Sequence, residues 1–463
     1  MIARPASLRD AWLWIGVVLY AAFYLALGAF RYAGHRNFVD LGIFAQTAAS
    51  AFGCFCNPVE GGHWAFHFSP ILYVAGALIH MWPSALALVA LQAAAGALTA
   101  PAVYGIVARH ADRRAARLSA LVVLLYPPLA GAIFNDFHEN GLAPAAVAWL
   151  LWAFDGGYAG WTLLFAAFTL AIKEDQALFV AIAGLIGAIA YRRDLLRWRL
   201  AVGIGVTAAV VFVVFFTVVQ PHERSDFLSV TQGSGWSPAR FYAWTPADWK
   251  ALFPSGLVAR IGFLLLAFAP LLFIPFRSRA IVVAMLPLAE VLASRMSTTY
   301  TTGSHYAGAW AGWALYAFAM SIAEIWRRSP QRAYKVLYWC VGLCVAEFAV
   351  ANPLHPGYFL HGRSQAGATL DTFIAALPRD VSLATQEEAY THLAATDPNV
   401  TVLPETPDRP VNSCFILTDE AFADSPRLVE SKPLLRRLIA SGEYSVTRRE
   451  GTITLYKRVA VCR

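Results

Sequence analysis

The residues able to do chemistry fall in five short stretches of an otherwise apolar chain. A lone acid, Asp40, sits in FVDLGIFAQ. His63 and His67 follow a Gly-Gly turn, NDFHEN carries Asp136, His138 and Glu139, Lys173-Glu174-Asp175 are consecutive, and His305-Tyr306 follow Gly-Ser. A carboxylate with apolar flanks can take a proton from an acceptor hydroxyl, which makes Asp40 a candidate base. The competing reading makes it the N-cap of the segment after it. Asp136, Glu139 and Asn140 fall at i, i+3 and i+4, so one helical turn would place them on one face, with a solvated helix start as the plainer alternative. Asp136 and His138, together with Asp40, are the ligands a divalent metal ion would use if one binds, but their spacing is not specific. Lys173 can hold a phosphate as a point charge, oriented by Glu174 and Asp175, and otherwise is a snorkelling lysine. His67, His138, His305 and Tyr306 complete the candidates for phosphate or sugar binding. His305 and Tyr306 also read as belt residues at a membrane surface. Arg224, Arg240, Lys250 and Arg260 read as loop charges, with contact to an anionic headgroup as the alternative. No Ser-His-Asp or Cys-His nucleophile arrangement, P-loop, dinucleotide glycine fingerprint or internal repeat is present.

The elements that must position these groups are membrane helices. The 463 residues are 58% hydrophobic and 14% charged, against about 25% charged in soluble proteins. The net charge of +7 does not point to nucleic acid, because the basic residues cluster beside apolar runs, as the positive-inside rule expects. The run Ala11 to Phe30 has span length and no convincing small-residue cleavage site, so it reads as a first span. The loop Arg31 to Pro83 follows, with Ile71–Met81 too short to cross and expected to lie at the interface. Further spans are expected from Ser84–Ala108, Leu118–Phe134, Gly141–Phe154, Tyr158–Ile172, Gln176–Tyr191, Leu200–Val219, Gly256–Phe276, Ile281–Ala293, Tyr306–Ile325 and Val336–Ala351. That gives about eleven spans, with Arg4 and Arg9 placing the N-terminus inside and the C-terminus outside. Every arginine cluster then falls on the inner side and all five polar stretches on the outer. A charge near a span costs roughly 2.5–3.5 kcal/mol at the bilayer centre, so such groups tend to be paired or functional.

Near Asn352 the composition turns charged and Pro-punctuated, and residues 352–463 read as a small α/β domain outside the membrane, after a membrane domain of residues 1–351. Strands are expected at Val381–Ala384, Val400–Leu403, Cys414–Leu417 and Thr452–Tyr456 from their β-branched content, and helices near Thr372–Ala376 and Leu434–Ala440. Cys340 and Cys344 read as core thiols. Cys414 and Cys462 can pair in an oxidising compartment or stay free. The fold class is therefore mainly α, polytopic, with an extracytoplasmic α/β tail. Group transfer at the outer surface fits the separated acids, lysine and histidines. A transporter or flippase is the rival reading, kept by Glu290 and Glu347 inside apolar runs, and a non-catalytic scaffold is a third.

FVDLGIFAQ, HFSPIL, NDFHEN, KED and GSHY, in this order, resemble the bacterial membrane proteins grouped as DUF2079. The tail adds LPRDVSLATQEEAYTHLA, FILTD and GTITLYKR, so the resemblance spans nearly the whole chain. That family is similar to the GT-C superfamily of integral membrane glycosyltransferases. The resemblance implies a polyprenyl-phosphate sugar donor, inverting transfer to an extracytoplasmic glycan, lipid or protein acceptor, and a place in the bacterial inner membrane. It implies a first-loop acid as base, which maps onto Asp40. Many superfamily members carry two acids in that loop, whereas no acid follows Asp40 here until Glu60.

Overall fold

The computed structural model describes residues 8–224, 245, 256–378, 381–404 and 410–460. Arg4, Arg240, Lys250 and Cys462 lie outside the described residues. In chain order the longer helices are α1 (Ala11–Ala33), α2 (Val39–Ala49), α3 (Leu72–Met81), α4 (Leu86–Ala108), α5 (Arg113–Leu124), α6 (Pro127–Phe134), α7 (Ala143–Gly156), α8 (Ala159–Leu170), α9 (Glu174–Ala190) and α10 (Leu195–Val214). They continue with α11 (Leu257–Phe268), α12 (Val282–Ala293), α13 (Ala307–Arg328), α14 (Pro330–Val350), α15 (Pro356–Phe359), α16 (Gln365–Ala375), α17 (Glu387–Leu393) and α18 (Pro426–Ala440). Two compact units result. The first comprises Met1–Ala26, Trp64–Ile71 and Ala90–His355, the second Leu27–His63, Leu72–Val89 and Pro356–Arg463.

Among the described residues, four helices are long and apolar enough to cross a membrane: Ala11–Ala33, Leu86–Ala108, Leu195–Arg224 and Pro330–Val350. α5 and α6 make a fifth if they count as one span, bent by 46°. The bend has a local cause. Pro127 and Pro128 lack amide donors, so they open a new helix rather than continue the old one. Helix length alone therefore supports a polytopic membrane protein without fixing the count at eleven. α13 is the centre of the first unit: Trp310 and Trp313 are fully buried, and nearly every residue around its circumference is enclosed. Cys340 and Cys344 are buried free thiols.

In the second unit the segment after α1 is far from a bare loop. α2 is followed by a Cys54–Cys56 disulfide and a two-strand hairpin, β1 (Cys56–Asn57) with β2 (Gly61–Gly62), antiparallel. Asn57 Oδ1 accepts from the amides of Val59 and Glu60, which closes its turn. At ten residues α3 is about 15 Å long, too short to span. The tail contains a five-stranded sheet of β3 (Leu383–Thr385), β4 (Val400–Val402), β5 (Phe415–Asp419), β6 (Tyr444–Glu450) and β7 (Ile453–Arg458), in spatial order β4-β3-β5-β7-β6. β3 pairs in parallel with β4 and β5, whereas β7 runs antiparallel to β5 and β6. β3, buried at every residue, lies between its two parallel neighbours β4 and β5. α18 packs Leu428, Leu434 and Leu438 onto Ala384 and Ile416.

Three local expectations change. Asp40 is not an N-cap: Phe38 holds that position without a side-chain bond, and Asp40 lies inside the first turn of α2, where a carboxylate complements the helix dipole. α18 begins at Pro426 rather than near Leu434, because Ser425 caps it by accepting from Leu428 N. β6, rich in charged residues and mostly exposed, carries no hydrophobic alternation to reveal it. Cys414 is disulfide-bonded.

Candidate active site

Within the first unit, NDFHEN, KED and GSHY converge with His67. Asp136 and Glu139 do not share a helical face. The chain bends after α6, and Glu139 opens a 3₁₀ turn, Glu139–Leu142, that leads into α7. Gln92, buried in the second turn of α4, holds this bend: its Nε2 donates to the carbonyls of Ile133 (2.9 Å) and Asn135 (3.1 Å), while its Oε1 accepts from His138 N (3.0 Å). Sequence reading missed Gln92, because a single glutamine in an apolar helix looks like any tolerated polar residue.

Two glycines allow the approach. A Cβ on Gly131 would lie 2.0 Å from the Thr302 carbonyl oxygen, and one on Gly308 would lie 2.1 Å from that of Asn140. Those contacts bring the start of α13 against NDFHEN. Gln176, in the first turn of α9, then donates to Ala309 O on α13. Three helical starts meet in this way, and the positive ends of their dipoles make the place favourable to negative charge.

The polar side chains form a connected row. His67 Nδ1 lies 2.8 Å from Glu174 Oε1, and the other carboxylate oxygen accepts from Phe68 N at 2.9 Å. Lys173, the residue before α9, places its Nζ 3.0 Å from Glu139 Oε1. His138 Nδ1 is 3.9 Å from Glu139 Oε2, and its ring stacks on His305 with centroids 3.4 Å apart. Tyr306 packs against His305 in turn. Asp136 is buried beside this row, and Asp175 Oδ1, in the first turn of α9, is buried without a hydrogen-bond partner among the described residues.

The charge states follow from the surroundings. Burial and the Lys173 charge press His67 toward neutrality, but the Glu174 carboxylate bonded to it, with Glu139 behind, raises its pKa above the ordinary imidazole value. His305 goes the other way. Burial, then His138, Lys173 and His67, push it well below the usual range. Asn135 donates through Nδ2 to Gly303 O, so its Oδ1 must accept from His305 Nδ1 at 3.3 Å. That leaves the His305 Nε2 lone pair buried and without a partner among the described residues.

Asp40 belongs to the second unit and is half-buried in the first turn of α2. The motif around it is explained by that unit's own packing. Gly42 lies against the Tyr390 ring, where a Cβ would come within 2.4 Å. Gln46 donates to Asp397 O and Val400 O and accepts from Tyr390 OH at 2.8 Å. His63 is buried against Phe55. Arg260 is no loop charge: it is buried in α11, donating to Leu292 O and Ser294 O over the Tyr300 ring. The opposite ends of the site helices are basic. α9 ends just before Arg192 and Arg193, and α13 ends with Arg327 and Arg328. An apolar cavity of about 490 Å³ lies toward those ends, lined by Leu151, Phe154, Gly187, Trp313 and Tyr316, away from the polar row.

The whole chain is similar in structure to ArnT from Cupriavidus metallidurans bound to undecaprenyl phosphate: TM-score 0.56 at 13% identity, covering 97% of this chain and 99% of that one. The apo state of the same protein gives a TM-score of 0.53 at 13% identity, covering 96% and 97%. At that identity the likeness concerns the fold, which is GT-C-like. No curated protein matches the chain in sequence. The model of DUF2079, described as a predicted membrane protein, matches residues 37–453, so the chain belongs to the DUF2079 family.

Proposed function

We propose that this protein is an integral membrane glycosyltransferase that moves a sugar from a polyprenyl-phosphate donor to an acceptor outside the cytoplasm. The observation that carries the reading is the buried row His67–Glu174, Lys173–Glu139 and His138–His305 at three converging helix starts. It is supported by a GT-C-like fold whose ArnT relative was crystallised with undecaprenyl phosphate. A lipid phosphate is already a good leaving group, so such an enzyme mainly supplies position and charge neutralisation.

In this reading Asp40 is the base that takes the acceptor proton. Lys173 and the protonated His67 face the donor phosphate, with Glu139 and Glu174 fixing them. His305, being neutral with a free Nε2 lone pair, accepts from a sugar hydroxyl, next to Tyr306. Asp136 and Asp175 orient the acceptor. A divalent ion is an optional addition, tested by adding Mg²⁺ or Mn²⁺ to the assay. About eleven spans, a cytoplasmic N-terminus, an outer tail domain and the bacterial inner membrane complete the proposal. The arginines at the far ends of α9 and α13 support that orientation.

The test is to offer purified protein a panel of radiolabelled polyprenyl-phosphate sugars with candidate glycan, lipid and peptide acceptors. Label moving to an acceptor with release of the lipid phosphate supports transfer. Label crossing a proteoliposome membrane without any bond change supports the transporter instead.

A further inference from the structure

The second unit holds a side-chain cluster that the glycosyltransferase reading leaves unused. His35 follows α1, Asp371 lies on α16 and His392 on α17. Among the described residues they are the one trio of His, Cys or carboxylate groups whose ligand atoms lie within 4.8 Å of one another. His35 Nε2 is 3.1 Å from Asp371 Oδ1, and His392 Nδ1 is 3.8 Å from the same oxygen. The His35 side chain is fully buried and that of His392 is 14% exposed.

The hydrogen bonds decide what the rings present. His35 Nδ1 faces Glu388 O at 3.0 Å, and His392 Nε2 faces Tyr32 O at 3.0 Å. A carbonyl oxygen only accepts, so each of these nitrogens carries its ring's proton. A neutral imidazole has one proton. With one proton per ring, both remaining nitrogens turn lone pairs toward a carboxylate oxygen, a repulsion relieved either by a second proton on a ring, as the 3.1 Å contact of His35 Nε2 with Asp371 Oδ1 would allow, or by a metal ion between them. Arg363 does not relieve this, because it pairs with the other oxygen, Oδ2. Backbone carbonyls that fix the tautomer and leave the opposite nitrogen free are the usual outer shell of a metal-bound histidine. His35 also sits at φ 56°, a left-handed conformation uncommon for a non-glycine residue.

We propose that His35, Asp371 and His392 bind a divalent zinc-class metal ion. Two histidines and one carboxylate, with water in the fourth position, suit Zn²⁺. With bonds of about 2.0–2.2 Å, two tetrahedral ligands lie about 3.4 Å apart, close to the spacing found. The two imidazoles, now stacked with centroids 4.0 Å apart and 13° between planes, tilt so that their lone pairs converge. The ion is structural: it pins α16 and α17 to the chain five residues before Asp40.

The test uses full-length, tag-free protein in detergent, stripped with a chelator and dialysed against Zn²⁺. Wild type is expected to retain about one Zn²⁺ per chain by elemental analysis and to melt at higher temperature with Zn²⁺ than without. Co²⁺ in its place is expected to give visible ligand-field bands. Asp371→Asn, nearly isosteric and partly exposed, and His392→Gln are expected to weaken binding by roughly 10–100-fold or more, with circular dichroism and metal-free melting checking that both fold. The proposal is overturned if wild type binds no Zn²⁺, or if both folded variants bind it as wild type does. Neither result bears on glycosyl transfer.

Discussion

Lys173 and Glu139 meet as a buried ion pair between the starts of two helices, Nζ 3.0 Å from Oε1, with the glutamate side chain fully enclosed and the lysine 12% exposed. Breaking such a pair leaves a charge stranded in a low-dielectric site. Lys173→Met or Glu139→Gln alone is expected to cost about 3–5 kcal/mol of stability. The double variant should lose less than the sum of the two, because no lone charge remains. A double-mutant cycle by thermal unfolding in detergent measures this, and additive losses would show the pair to be energetically uncoupled.

Asp40→Asn keeps the shape of the first turn of α2 and removes the carboxylate proposed as the base. Transfer is expected to fall by about 10²–10⁴-fold with folding unchanged. Near-normal turnover by this variant, measured with the donor and acceptor that wild type accepts, would reject the role.

The His67–Glu174 pair predicts a pH signature. The His67 pKa is raised in the folded protein, so the pair's contribution is full below the ordinary imidazole value of about 6.5 and fades as pH rises through the raised one. Glu174→Gln should therefore destabilise the protein more at pH 6 than at pH 9. Equal losses at both values would mean that His67 does not change its charge between them.

Glu388 behaves oppositely to an ordinary surface carboxylate. Burial raises its pKa from 4.5 to about 7, against a bond from Gln386 that favours the charged form. Folding then binds a proton that the unfolded chain would release. The contribution is full below pH 4.5 and lost as pH rises through 7, amounting to up to about 3 kcal/mol. Glu388→Gln should flatten this dependence and leave the protein more stable than wild type at pH 8. Melting temperatures across pH 5–8 give the comparison.

Gly308→Ala probes the approach of helices that assembles the site. Its Cβ would fall 2.1 Å from Asn140 O, a backbone atom that cannot swing away. About 1–3 kcal/mol of destabilisation is expected, with a larger loss of transfer, since α13 would shift against NDFHEN. Unchanged activity and melting would mean that the contact relaxes freely.

The primary structure by itself determined the class of protein: long apolar runs need helices in lipid, and the alternation of arginine clusters with acid- and histidine-bearing stretches orders them. It also marked nearly every polar side chain of the candidate site, because a charge among apolar residues is conspicuous. Partners were not legible. That Lys173 is held by Glu139 and His67 by Glu174 depends on which helix starts touch, and this is set by glycines such as Gly308 whose purpose appears only when the opposing backbone is in place. The roles of Gln92, Gln46, His35 and His392 were hidden for the same reason, each being an ordinary residue until carbonyls from distant segments surround it. Composition and periodicity act along the chain. Hydrogen-bond complementarity acts across it, so only the tertiary structure could decide it.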